Sequence, residues 1–195
     1  MAFFRLVPNL TIMAPKDFKE LEDMLAFAVA LKKPVVIRYP RGGEAEKKLE
    51  KQEKIEWGKA EVLKKGKDLS VIAIGKTVAR AMEVAEAIET EQKDITVEVI
   101  NCRFLKPMDK ETIKQSIEKT KQVITIEDGS IINGLATAVQ EIILEEDLQE
   151  VKMKNYAYPD KFIEHGTVEE LEKIYAVDAE TIKKEAKEWI KENLR

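Results

Sequence analysis

The sequence has very little cysteine and histidine. Cys102 is the only cysteine and His165 the only histidine among 195 residues. A disulfide needs two cysteines, and a zinc site of the usual type needs several cysteine or histidine ligands, so one chain can form neither. Such sparse cysteine is consistent with a reducing compartment, and we expect a cytoplasmic protein.

Long apolar runs and a strong excess of one charge are also missing. The longest apolar runs, such as residues 26–31, are far shorter than the roughly 20 residues of a membrane-spanning helix. The first residues, M-A-F-F-R-L-V-P-N, lack the layout of a secretory signal because the arginine follows the apolar residues. The 33 basic and 37 acidic residues are interleaved and give a net charge of -4. We therefore expect a soluble protein without a membrane or nucleic-acid partner.

The N-terminal part reads as a β-α-β unit. A strand over 10–13 precedes a helix that Asp17 caps, and Glu20 completes a capping-box pattern. A second, buried strand is expected over Val35–Ile37. The helix should bury one apolar face, formed by Phe18, Leu21, Leu25, Ala28 and Leu31.

The remainder alternates strands with helices and predicts a mostly parallel sheet covered on both sides, a three-layer α/β/α domain. Asp109 and Thr77 are expected N-caps. We divide the chain into a first domain over 1–41, a charged linker over 42–56 and a second domain over 57–195. The predicted strands are 57–63 (an edge strand), 69–74, 95–100, 122–126 and 151–154; the predicted helices are 78–89, 110–118, 133–145, 168–175 and 178–193. The last helix should dock through Ile182, Ala186, Trp189 and Ile190.

Two arginines follow the strand at Val35–Ile37, in the sequence R-Y-P-R-G-G. Open α/β sheets bind ligands at the carboxyl ends of their strands. The guanidinium groups of Arg38 and Arg41 can form a fork for a phosphate or carboxylate. They can equally form a salt bridge between domains, and the residues alone do not decide between these two hypotheses.

Other candidate motifs have simpler interpretations. The sequence I-G-K-T at 74–77 lacks the earlier glycine of a phosphate-binding loop, because that position is Ser70; a turn capped by Thr77 is expected. The sequence E-D-G at 127–129 is interpreted as a turn, since adjacent carboxylates on an extended chain point in opposite directions. We interpret Cys102 as a small buried residue. A loop or interface position is expected for His165, because no partner nucleophile is visible in the sequence.

Five segments carry a resemblance to a known family: R-L-V-P-N-L-T-I-M-A-P-K-D (5–17), I-R-Y-P-R-G (37–42), C-R-F-L-K-P-M-D (102–109), T-I-E-D-G (125–129) and D-K-F-I-E-H-G-T (160–167). In order and spacing the chain resembles the 1-deoxy-D-xylulose-5-phosphate synthase family of the transketolase superfamily. The resemblance implies a βαβ remnant of a thiamine pyrimidine-binding domain, followed by a transketolase C-terminal-like domain.

The resemblance also implies a function. The family's enzymes are transferases that condense pyruvate with glyceraldehyde 3-phosphate to 1-deoxy-D-xylulose 5-phosphate and CO2, a precursor of isoprenoids and thiamine. They use thiamine diphosphate and Mg2+, held by segments that this chain does not contain. The chain is then a C-terminal portion with no catalytic, cofactor-binding or metal-binding residues, inactive alone and binding no cofactor. Its implied partners are the missing N-terminal domains and a second copy in a homodimer.

By resemblance, Arg41 matches the family arginine that grips the phosphate of glyceraldehyde 3-phosphate. Arg38 and Arg5 are the neighbours implied to assist it. The segment over 102–109 is interpreted as structural. Two alternatives remain open: a C-terminal subunit of a split transketolase-type enzyme, and a non-catalytic module for dimerisation or anion binding.

Overall fold

A computed structural model describes residues 1–40, 49 and 53–193 of the protein. Within these residues, a 3-10 helix precedes eight strands and six α-helices. Their bounds, in chain order, are 3-10 helix Phe3–Leu6, β1 Thr11–Met13, α1 Phe18–Leu31, β2 Val35–Ile37, β3 Glu61–Lys64, β4 Leu69–Ala73, α2 Thr77–Glu91, β5 Val97–Asn101, β6 Phe104–Lys106, α3 Lys110–Thr120, β7 Gln122–Ser130, α4 Leu135–Glu145, β8 Lys152–Tyr158, α5 Val168–Ile174 and α6 Ala179–Asn193.

The larger sheet has the strand order β3-β5-β4-β7-β8. Four of its strands, β5, β4, β7 and β8, run parallel to one another. The edge strand β3 pairs antiparallel with β5. Helices α2 and α6 pack on one face of this sheet, while α3 and α4 pack on the other. The predicted three-layer α/β/α arrangement with a mostly parallel sheet is therefore confirmed. The docking of α6 is also confirmed, because Ile182, Ala186 and Ile190 are fully buried.

The smaller sheet has the order β2-β1-β6. Strands β1 and β2 are parallel, as a β-α-β unit requires, and β6 pairs antiparallel with β1. The sequence analysis did not predict β6, a three-residue strand inside the predicted second domain. Most of the predicted linker over 42–56 lies outside the described residues, and the division into domains stays a prediction.

Two of the three predicted helix caps are confirmed. The Asp17 carboxylate accepts the backbone N–H of Glu20 at 2.7 Å, and Asp109 accepts that of Thr112 at 3.3 Å. The prediction for Thr77 was wrong, because the N-cap of α2 is Lys76 and makes no side-chain cap bond. The Thr77 hydroxyl instead donates to the carbonyls of Ile74 and Ile126, which fixes α2 against the carboxyl ends of β4 and β7.

The inward face of α1 differs from the predicted one. The predicted residues Phe18 and Leu25 are exposed, whereas Glu20 and Met24 are buried. This helix is apolar on most of its circumference, so apolar spacing alone could not identify the face that meets the sheet. Val35–Ile37 was also expected to be buried and is only half-buried, because β2 forms the edge of the smaller sheet.

A buried group of charges joins the two sheets. Its members Lys16, Glu20, Glu61 and Arg103 have side chains at most 1% exposed. Nζ of Lys16 lies 3.1 Å from one carboxylate oxygen of Glu20 and 3.1 Å from one of Glu61. Nε of Arg103 lies 2.7 Å from Glu20, and its Nη2 lies 3.1 Å from Glu61. Asn101 donates to both oxygens of Glu20. We call these five residues the junction cluster.

The junction cluster also explains why the capping box of α1 is incomplete. A capping box needs the Glu20 carboxylate to accept the N–H of the cap residue Asp17. The Glu20 carboxylate instead accepts the backbone N–H of Lys16 at 2.7 Å while it binds Arg103. The contacts of Glu20 with Lys16 and Arg103 therefore replace the hydrogen bond that would complete the capping box. Two cations and two carboxylates balance, so the junction cluster carries no net charge.

Candidate functional site

The carboxyl ends of strands from both sheets converge on one edge of the protein. Arg38 follows β2, Lys76 follows β4, and Asp128 lies near the end of β7. Residues 127–129 were predicted to form a turn, which was wrong: β7 continues to Ser130. Its pairing with β8 shifts register between Ile126 and Ser130, so the strand is irregular where its polar residues lie.

Arg38 forms an ion pair across this edge. Its backbone N–H donates to the carbonyl of Met13 at 2.9 Å, which continues the pairing of β2 with β1. Its Nη2 lies 2.8 Å from Oδ2 of Asp128. Of the two hypotheses for this arginine, the structure therefore contains the salt bridge between the two parts of the chain.

A chain of ion pairs continues from Asp128. Nζ of Lys76 lies 3.2 Å from the same Oδ2 atom and 3.1 Å from Oε1 of Glu172. Nη2 of Arg80 lies 2.7 Å from the other oxygen of Glu172, and its Nη1 donates to the carbonyl of Val177. These five charged side chains, with Arg38 at one end and Arg80 at the other, are called the edge network. Three cations against two carboxylates leave it with one positive charge.

Glu127, beside the edge network, is a buried carboxyl group. Its Oε1 accepts the backbone N–H of Leu135 at 2.7 Å and that of Ala136 at 3.4 Å, at the N-terminus of α4. Burial raises the pKa of Glu127 to about 7, although these two hydrogen bonds and the charge of Arg38 act to lower it. A Cβ atom on Gly134 would lie 2.4 Å from either carboxylate oxygen, so glycine is required there for the carboxyl group to fit.

Tyr158 at the end of β8 completes this region. Burial, followed by the negative charges of Asp128 and Glu172, raises the pKa of its hydroxyl to about 12. The phenol is therefore neutral at physiological pH. It can donate a hydrogen bond, but it does not add a negative charge beside the edge network.

In the structure, Arg5 contacts partners other than those of Arg38. Its Nη1 donates to Oδ1 of Asn133 at 2.7 Å, and its Nη2 pairs with Glu141 on α4. Arg5 lines a surface cavity of about 360 Å³ together with Lys106 and Lys110. Each of these cations contacts a carboxylate or a backbone carbonyl of the chain. Arg41, the residue that the family resemblance singles out, lies outside the described residues.

The other candidates from the sequence have structural positions. Cys102 is buried, and burial followed by the charges of Asp109 and Glu127 raises its pKa, so the thiol stays protonated. This confirms its interpretation as a small buried residue. His165 was expected in a loop or at an interface, and it lies in an exposed loop. The I-G-K-T segment is a strand-to-helix turn in which Gly75 has φ +69° and the Thr77 hydroxyl points inward.

The described residues contain no group of three His, Cys, Asp or Glu side chains that could hold a metal ion. Nor does this part of the chain contain a helix long and apolar enough to cross a bilayer. Sequence reasoning missed the roles of Lys76 and Asp128. The available signal was their position near the carboxyl ends of two strands predicted to be parallel, which places both side chains at one sheet edge.

Comparisons with known proteins give a consistent picture. Residues 58–182 match the family model described as transketolase, C-terminal domain, and residues 1–44 match that described as transketolase, pyrimidine binding domain. The chain is 40% identical over 195 residues to the 1-deoxy-D-xylulose-5-phosphate synthase of Halothermothrix orenii and covers 30% of it. It is 42% identical over 170 residues to that of Desulfotalea psychrophila, covering 85% of this chain and 26% of the relative.

Solved structures agree on the fold. A chain described as a split gene transketolase, inactive beta4 tetramer, aligns with a TM-score of 0.86 at 30% identity, covering 99% of this chain and 60% of that one. Transketolase from Campylobacter jejuni aligns with a TM-score of 0.64 at 18% identity, covering 95% of this chain and 27% of that one, which supports the fold alone.

These matches confirm the resemblance found in the sequence motifs. The chain spans 30% or less of the length of the synthase relatives compared above. The larger family match covers well over half of the chain, from residue 58, just before β3, to residue 182 in α6. The chain therefore belongs to the transketolase family, with a transketolase C-terminal domain preceded by a segment of a transketolase pyrimidine-binding domain.

Proposed function

We propose that the chain is the C-terminal portion of a thiamine-diphosphate-dependent transferase that condenses pyruvate with glyceraldehyde 3-phosphate. The products are 1-deoxy-D-xylulose 5-phosphate and CO2, for isoprenoid and thiamine synthesis. The observation that carries this proposal is the match along the whole chain to relatives of that name, at 40% identity for Halothermothrix orenii. The split transketolase is less similar, at 30% identity, so a split-enzyme subunit is the less favoured assignment.

Arg41 is the proposed ligand of the aldehyde substrate's phosphate group, with Arg38 and Arg5 assisting. A guanidinium group binds phosphate through two parallel N–H donors, which suits recognition of this anion. Support comes from β2, whose carboxyl end meets the carboxyl edge of the larger sheet through the Arg38–Asp128 pair. Arg41 follows three residues later in the sequence.

Thiamine diphosphate supplies the carbanion chemistry of this reaction when it is bound. The proposal includes the Mg2+ ion that the family's enzymes use with this cofactor. Both are assigned to the part of the enzyme that this chain does not contain. The residues of this chain bind and orient the phosphorylated substrate, and the isolated chain is expected to be inactive.

A chimeric enzyme tests the proposal. In the chimera, this 195-residue chain replaces its matching region of the Halothermothrix orenii synthase. We expect the chimera to form deoxyxylulose phosphate from pyruvate and glyceraldehyde 3-phosphate, and the isolated chain to form none. Replacing Arg41 with alanine should raise the KM for glyceraldehyde 3-phosphate roughly tenfold or more, because a charge-assisted contact worth about 1.5–3 kcal/mol is lost.

The KM for pyruvate, which has no phosphate group, should not change in the Arg41→Ala chimera. Lys152→Ala serves as the control, because Lys152 is an exposed cation at the amino end of β8, and Asp128 lies near the carboxyl end of the parallel neighbour β7. An inactive chimera that folds as the parent does would count against the proposed reaction. Equal KM values for Arg41→Ala and the control would remove Arg41 from the phosphate site.

A cytoplasmic homodimer is the proposed assembly. Helix α1 exposes Phe18, Leu25 and Val29, which lie at helical spacing on its surface. Exposed apolar patches of this kind often mark interfaces. We expect light scattering after gel filtration to give twice the chain mass of 22.3 kDa. Val29→Glu should shift the protein toward monomer, and a monomeric parent protein would contradict the proposal.

A further inference from the structure

One carboxylate attaches the arginine-bearing end of β2 to the larger sheet. Oδ2 of Asp128 lies 2.8 Å from Nη2 of Arg38 and 3.2 Å from Nζ of Lys76. The two cations come from different parts of the chain, because Arg38 ends the β-α-β unit and Lys76 caps α2. Without Asp128, these two like charges would face each other with no anion between them.

Asp128 is held in place from the other side. Lys76 also binds Glu172 of α5 at 3.1 Å, and Glu172 binds Arg80 of α2 at 2.7 Å. The side chains of the edge network are 13–31% exposed, so water screens these pairs less than it screens fully exposed ones. Asp128 lies in the irregular part of β7, between the residues Ile126 and Ser130 that pair with β8.

We infer that Asp128 is a positioning residue for the phosphate-binding corner, acting through Arg38. This inference rests on the proposed function, in which Arg41 binds the substrate's phosphate. The ion pair fixes the point at which the chain leaves β2, three residues before Arg41. Misplacing a binding group by even a small distance weakens the contact that it makes.

The competing role for Arg38 predicts the opposite sign. If Arg38 gripped the phosphate directly, Asp128 would compete with the substrate for it. Removing the carboxylate would then free the arginine and tighten substrate binding. Removing a positioning carboxylate must weaken binding instead. The direction of the change therefore separates the two roles.

The test uses Asp128→Asn, Arg38→Met and the double variant in the chimera described above. We expect either single variant to raise the KM for glyceraldehyde 3-phosphate about fivefold, the effect of losing one partly exposed ion pair. The KM for pyruvate and kcat should stay near the parent values. The double variant should be no worse than either single one, because both remove the same pair. An unchanged or lowered KM in Asp128→Asn overturns the inference.

Glu146→Gln is the matched control. It breaks the Lys114–Glu146 pair, which has a similar length of 2.7 Å and similar exposure but lies at the far end of α4. A KM rise equal to that of Asp128→Asn would show a general effect on stability and overturn the inference.

A second measurement, on the 195-residue chain, decides the inference without turnover. The Nε–Hε NMR signal of Arg38 should show a restricted side chain in the parent and an averaged one in Asp128→Asn, with the other backbone signals unchanged. An inactive chimera would count against the proposed function but not against this inference. An Arg38 signal that Asp128→Asn leaves unchanged would overturn the inference whatever the chimera does.

Discussion

Replacing Arg103 with methionine is expected to lower the free energy of unfolding by about 3–5 kcal/mol, the usual cost of removing one partner from a buried ion pair. Arg103 is 1% exposed and binds Glu20 and Glu61, both fully buried. Without it, Lys16 alone faces two carboxylates, and one negative charge stays uncompensated in the interior. Methionine fills part of the volume, so the charge imbalance dominates the loss.

The double variant Glu61→Met/Arg103→Met separates charge imbalance from lost packing. It leaves Lys16 and Glu20 as a neutral pair at 3.1 Å. We therefore expect its loss of stability to be clearly smaller than the sum of the two single losses, as measured by urea unfolding. Losses that simply add would show that the junction cluster contributes through packing and hydrogen bonds rather than charge balance. Lys114→Met, which breaks a partly exposed pair, should change stability little.

Two tryptophans report whether the junction cluster holds the two sheets together. The indole of Trp57 donates to the Thr11 hydroxyl at 3.2 Å, beside the smaller sheet, whereas Trp189 lies on α6 beyond the larger one. If the cluster is the main link, Arg103→Met should lower the urea midpoint seen by Trp57 more than that seen by Trp189. Each signal is measured in a variant in which the other tryptophan is changed to phenylalanine, so that the two signals are separated.

Local signals in the sequence were sufficient for most of the fold. Asp17 and Asp109 each precede a periodic apolar pattern, and a carboxylate at that position accepts helix N–H groups whatever the tertiary context. Alternating strands and helices admit few arrangements besides a covered parallel sheet. These features depend on residues that are neighbours in sequence, so local sequence patterns are enough to predict them.

The features that were missed depend on residues far apart in the chain. Strand β6 has three residues and exists because β1 offers an edge to pair with. The junction cluster brings together positions 16, 20, 61, 101 and 103, with no motif to connect them. Thr77 has the right residue type for a cap, but its hydroxyl donates to the carbonyl of Ile74 and to the distant carbonyl of Ile126.

The candidate site shows the same division. Sequence reasoning placed polar residues at the carboxyl end of β2, where α/β sheets bind ligands, but it did not bring them together with those of β7, which lies in the other sheet. Which of them pair did not follow, because Arg38 had several acidic residues within conceivable reach. The family motif points to Arg41 as the phosphate ligand, and the observed pairing of Arg38 with Asp128 leaves the two arginines with separate proposed tasks.

Stability should fall as pH rises from about 5 to 8, and Glu127 is the expected cause. Burial raises its folded pKa to about 7 from an ordinary 4.5, so the native state binds the proton more tightly than the unfolded state does. The stabilisation from the neutral carboxyl is complete below about pH 4.5 and is lost as pH rises through 7. A shift of this size corresponds to about 3 kcal/mol.

Glu127→Gln tests this assignment, because glutamine keeps the shape and the acceptor oxygen for the N–H groups of Leu135 and Ala136 but does not ionise. Urea unfolding at several pH values should give similar stabilities for parent and variant near pH 5, with the variant progressively more stable toward pH 8. Glu146→Gln is the control: Lys114 lowers the pKa of Glu146, so its titration affects stability only below pH 4.5. Parallel curves for parent and Glu127→Gln would show that the carboxylate is stabilised as an anion by α4 and Arg38, and that its burial does not govern the pH dependence.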